Sequence, residues 1–90
     1  MRTDPRLRVY GGTILTVDGQ RVVQLVDPND NARRRFQYRR TLDGTGIEQR
    51  TLRADGQPYT DTGSPWEPAD VATMRRIRGD YHPILDSLGL

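Results

Sequence analysis

An α+β fold is predicted: a small antiparallel β-sheet or partly open barrel built from hairpins, followed by one or two short C-terminal helices. Three observations predict it. Asp-Gly pairs punctuate the first two-thirds of the chain at Asp18-Gly19, Asp43-Gly44 and Asp55-Gly56. Asp-Gly suits a type I′ turn because both central residues need positive φ, and such turns match strand twist. Between these pairs the apolar residues alternate or run in stretches of strand length. After Gly63 the spacing changes, and Val71, Met74 and Ile77 form one narrow helical stripe. Ninety residues make a single domain, 1–90, with a β-hairpin region over 6–60 and a helical region over 64–90.

Taken in order, Leu7 and Val9 alternate with Arg6, Arg8 and Tyr10 as in a half-buried strand, which Gly11-Gly12 would break or bulge. The clearest hairpin turns at Asp18-Gly19. Its two-residue loop pairs Val17 with Gln20, Leu15 with Val22 and Ile14 with Val23. Leu15 and Val22 then share one face, and Ile14, Val23 and Leu25 the other. Apolar side chains on both faces mark an interior strand pair and the centre of the core.

Residues 27–31 are dense in turn formers. They place oxygen ligands at Asp27, Asn29 and Asn31, as the first three ligand positions of an EF-hand loop do. Ala32 replaces the turn glycine, however, and Tyr38 stands where a bidentate Glu is required. A plain turn is the better reading. Residues 34–42 read as a strand, 43–46 as a turn and 47–53 as the return strand, with 57–60 folding back as a short further one. The register of this second hairpin stays open. A four-residue loop pairs Leu42 with Ile47 but sets Arg39 opposite Arg50. A two-residue loop pairs Arg39 with Glu48 but sets Arg34 opposite Arg53.

Ser64-Pro65-Trp66-Glu67 matches a capping box, with Ser64 as N-cap and Pro65 in the first turn. Pro68 is the alternative start, which would put Asp70 in the first turn. Gly79 is the stop of this helix, and a last short helix over 83–88 would end at Gly89.

Composition bounds the chemistry. There is no cysteine, hence no disulfide, thiolate nucleophile or Cys-ligated zinc. No stretch is apolar enough to cross a membrane, and Met1 to Pro5 lack the apolar region of a secretory leader. All 14 basic residues are arginine. Codon bias in a GC-rich genome explains that better than selection, and it removes any Schiff-base lysine. Residues 1–53 carry 11 Arg against 6 acids (+5), and residues 54–90 carry 3 Arg against 6 acids (−3). Such polarity can orient the molecule against a charged partner or a second copy of itself.

The sharpest cluster is Arg33-Arg34-Arg35-Phe36-Gln37-Tyr38-Arg39-Arg40. As a strand it puts Arg34, Phe36, Tyr38 and Arg40 on one face and Arg33, Arg35, Gln37 and Arg39 on the other. Aromatics interleaved with arginines can stack bases while the guanidiniums hold phosphates. The competing reading sends Phe36 and Tyr38 into the core and leaves the arginine face solvated. Trp66 serves either as an interface anchor or as a staple between helix start and sheet.

His82 is the only histidine, with Asp80 and Asp86 nearby, and Ser64 and Ser87 are the only serines. That inventory is too poor for nucleophilic catalysis, so no enzyme, cofactor or metal is expected. The tripeptide Arg78-Gly79-Asp80 spells an adhesion motif, but the helix-end role of Gly79 explains the glycine more simply.

A core supplied by only 19 Leu, Ile, Val and Phe residues leaves a chain that gains from docking or oligomerisation. The expectation is a non-enzymatic protein-binding subunit or inhibitor of a larger complex. It would be of the accessory type found in phages and mobile elements of GC-rich bacteria, placed in the host cytoplasm or the virion. Arg33, Arg34, Arg35, Tyr38, Arg39, Arg40 and Trp66 would make the contact with a protein partner or second copy. The alternative is a nucleic-acid-binding module using the same arginine strand. No membrane contact is expected.

Overall fold

A computed structural model describes residues 12–26, 31–58, 63, 65–72 and 82–89. Five strands, β1 (Thr13–Val17), β2 (Gln20–Leu25), β3 (Arg35–Arg40), β4 (Ile47–Leu52) and β5 (Glu67–Ala69), form one antiparallel sheet. Each strand lies beside its neighbours in sequence, in the order β1-β2-β3-β4-β5. Among the described residues the sheet is open rather than a barrel, with β1 at one edge and β5 at the other. One short helix, α1 (His82–Ser87), lies within the described residues.

The first hairpin has the expected register, with Val17 opposite Gln20, Leu15 opposite Val22 and Ile14 opposite Val23. Asp18 and Gly19 take φ of 52° and 78°, the doubly positive pair that a type I′ turn requires. The second hairpin adopts the register that sets Arg39 opposite Glu48 and Arg40 opposite Ile47. The clash foreseen at Arg34 and Arg53 does not arise, because the ladder ends at Arg35 opposite Leu52. Beyond it the expected strand over 57–60 reduces to a single bridge between Leu52 and Pro58, with residues 59–60 outside the described chain.

The capping-box reading is corrected. Glu67, Pro68 and Ala69 are extended and pair with Gln49, Glu48 and Ile47. A proline is tolerated there because β5 is an edge strand, and an edge can spare an N–H that faces away from the ladder. Helical backbone begins only at Val71 and Ala72. The Ala72 N–H donates to Asp70 Oδ1 at 3.1 Å, so Asp70 is the cap rather than Ser64. The strand expected over 6–10, the loop at 27–30, Ser64 and the helical stripe at Met74 and Ile77 lie outside the described residues.

Antiparallel pairing divides the sheet into two faces. Val23, Leu25, Phe36, Tyr38, Ile47 and Ala69 share the face toward α1, and Ile84, Leu85 and Leu88 pack on it to make the core. α1 is held at its end by Arg21, whose Nη1 donates to the Ser87 carbonyl at 3.0 Å. Gly89 follows with φ 75°, and its N–H donates to the Asp86 carbonyl, the left-handed exit that glycine allows. The opposite face carries Gln20, Val22 and Gln24 of β2, Gln37 and Arg39 of β3, and Glu48 and Arg50 of β4.

Candidate functional site on the polar face

Because side chains alternate along a strand, the register that buries Tyr38 and Ile47 places Gln37, Arg39, Glu48 and Arg50 on the other side. There they bond to one another across the strands. Gln37 Nε2 donates to Gln24 Oε1 at 2.9 Å, and Gln37 Oε1 accepts from Arg50 Nε at 2.7 Å. Gln37 is 4% exposed, and both ends of its amide are thus satisfied. Arg39 donates from Nε to Glu48 Oε1 at 3.1 Å and from Nη1 to Gln20 Oε1 at 3.2 Å.

Trp66 closes the arrangement. It precedes β5 by one residue, so it lies on the same face as Pro68, which is paired with Glu48. The Arg39 guanidinium carbon lies 4.1 Å from the Trp66 ring centroid and that of Arg50 lies 4.4 Å away. Both are within the range of cation–π attraction. Burial, with the neighbouring Arg39 charge second, holds the Arg50 pKa below its ordinary value. Two cations thus crowd one indole ring, and Glu48 is ion-paired with Arg39.

The remaining arginines of the predicted cluster go elsewhere. Arg35 Nε donates to the Ala54 carbonyl at 2.9 Å, bracing the turn in which Gly56 N–H bonds the Arg53 carbonyl. Arg40 donates to the Gly44 carbonyl from both Nε and Nη2, clamping the second hairpin loop. Arg33 is exposed, with φ 53°, just before β3. Arg34 lies with its guanidinium 5.3 Å from the Phe36 centroid. Tyr38 belongs to the core at 7% exposure, and half-buried Phe36 packs against that core. Their rings therefore pack inward, and the aromatic ring that meets arginines on the polar face is Trp66.

The loop after β3 is tightly organised. Asp43 Oδ1 accepts from the Thr41 hydroxyl and from the Thr45 N–H, while Thr41 Oγ1 accepts from the Gly46 N–H. The Thr41 hydrogen bond, with that of Thr45, holds the Asp43 pKa below the ordinary aspartate range. Leu42, at the tip, is 95% exposed.

The sequence reading missed Arg50, along with the glutamines that position it. Its available signal was the second of the two registers, which places Arg50 opposite Gln37 on the arginine face. Among the described residues no group of three or more His, Asp or Glu comes together as a metal site. The Ser87 hydroxyl donates to the Pro83 carbonyl one turn back in α1. Among the described residues no helix is long and apolar enough to cross a membrane. Comparison with protein families, curated proteins and solved structures finds no match to this chain.

Proposed function

We propose that this chain is a non-enzymatic protein-binding subunit or inhibitor, and that it engages its partner through the polar face of the sheet around Trp66. The observation that carries this reading is a half-buried tryptophan held between two arginines on the face turned away from α1. Tryptophan and arginine dominate the energetics of protein interfaces when their geometry is fixed beforehand. Here the fixing is done by a sheet strand pair and two glutamines, so little side-chain entropy remains to be lost on docking. The absence of lysine and the accessory-protein composition fit a small phage or mobile-element protein of this kind.

Purification of the full chain from its native host, beside Trp66→Ala, tests this reading, with light scattering to give the mass. A protein or second copy retained by the native chain and lost with Trp66→Ala supports it. A monodisperse monomer that retains nothing overturns it. Retention of nucleic acid instead, with affinity falling steeply as salt rises, transfers the face to the nucleic-acid reading.

A further inference from the structure

Arginines in folded proteins are commonly satisfied by carboxylates, carbonyls or water. Among the described residues Arg50 is hydrogen-bonded at one position only. Its Nε donates to Gln37, its plane lies against Trp66, and neither Nη atom has an acceptor among the described residues. Gln37 is itself immobilised by Gln24 and by burial. The guanidinium is therefore held by its inner edge while its outer edge, the Nη1/Nη2 pair, presents two parallel donors. That edge matches the two oxygens of a carboxylate. Arg39 has a similar surplus, with Nε and Nη1 used and Nη2 without an acceptor among the described residues. Within the cluster Glu48 is ion-paired with Arg39, while Asp18 acts on Arg50 only through its charge and makes no hydrogen bond to it among the described residues, so the outer edge of Arg50 stays without a bonded acceptor.

We propose that the Arg50–Trp66–Arg39 cluster is a carboxylate-accepting site for an acidic segment of a protein partner, with the outer edge of Arg50 as its bidentate donor. This rests on the protein-binding reading above and names the chemistry of the partner. An acidic protein segment is favoured over nucleic acid by three features of the surroundings. Glu48 sits within the cluster and would repel a continuous chain of phosphates. Arg21, Arg35 and Arg40 donate to backbone carbonyls of this chain, so they do not extend the cation row that a phosphate track needs. The Trp66 ring offers apolar surface next to the charge, as suits a Glu or Asp flanked by aliphatic residues.

The test uses the full chain and its single tryptophan as reporter. A blocked decapeptide carrying one glutamate flanked by aliphatic residues is titrated against native protein, Arg50→Gln, Arg50→Lys and Arg53→Gln, and a short single-stranded oligonucleotide is titrated in parallel. The expected result is a saturable change in Trp66 fluorescence with the peptide. Affinity should fall at least about tenfold in Arg50→Gln, the loss typical of a charge-assisted bidentate contact, and hold within about twofold in Arg53→Gln. Arg50→Lys keeps the charge without the fork, so it should also weaken binding several-fold, and it carries the test if Arg50→Gln does not fold. Absence of saturable binding, equal loss in Arg50→Gln and Arg53→Gln, or tighter binding of the oligonucleotide overturns the inference. A native partner protein lost with Trp66→Ala but kept by both Arg50 variants sinks the carboxylate site alone and leaves the protein-binding reading standing.

Discussion

Toward α1 the sheet presents Val23, Tyr38 and Ile47, closed over by Ile84, Leu85 and Leu88. Away from it the same strands present Gln37, Arg39, Glu48 and Arg50, closed over by Trp66. The first face is stabilised by removing apolar area from water, a force without direction. The second depends on hydrogen bonds and ring contacts of set geometry, each worth little net, because water competes for every group. Val22 shows the contrast within one strand, since it lies on the polar face and yet is fully buried. The difference teaches where stability and specificity reside. The apolar face holds the domain together, whereas the polar face holds particular groups in particular orientations.

Breaking the apolar face should have the largest effect. Leu85→Ala removes a fully buried side chain and is expected to cost about 2–5 kcal/mol, read as a fall in the urea midpoint with little change in slope. Gln37→Leu strikes the polar face at its most buried position. It strips Gln24 and Arg50 of their shared partner and should cost about 1–3 kcal/mol, while broadening the Arg50 side-chain NMR signals. A loss as large as that of Leu85→Ala would dissolve the contrast between the faces. For Arg39 and Glu48, whose side chains are 20% and 24% exposed, a double-mutant cycle should return a coupling of about 0.5–1 kcal/mol that shrinks in high salt.

Asp43 belongs to neither face, and its effect should be the smallest. Its folded pKa is depressed, so its contribution is present above the unfolded aspartate value and is lost as pH falls below about 4. Asp43→Asn should therefore flatten the acid end of the stability–pH profile and leave neutral stability little changed. Thermal melts from neutral pH down to about pH 2 check it.

The contrast between faces also explains what could be read from the chain. The Asp18-Gly19 hairpin was legible to the residue, because its turn chemistry and the apolar residues of both strands agree on one register. The second hairpin was not, since two loops satisfied its local pattern equally. The register it takes brings Arg39 against Glu48 and both arginines against Trp66, a residue far along the chain. β5 was hidden behind a capping pattern, because edge pairing with β4 places Glu67 and Pro68 in a conformation that their propensities oppose. The core role of Tyr38 and Phe36 was present as one of two readings, and pairing with β2 and β4 decided it. Arg50 acquires its place only from that pairing, so no local motif could have revealed it.

Strict nearest-neighbour strand order has a kinetic consequence. Among the described residues every ladder joins strands that follow one another in sequence, so each can close without waiting for a distant one. The tight first turn, whose strands are joined by two residues, is the natural place for pairing to begin. The packing of α1 on β2 and β3 joins residues far apart in the chain, and it is expected to form after the transition state. Leu85→Ala should then appear almost wholly as faster unfolding in stopped-flow measurements, with the refolding rate near that of the native chain. The same residue that anchors the core at equilibrium would thus govern how long the native state lasts, and hardly how quickly it is reached.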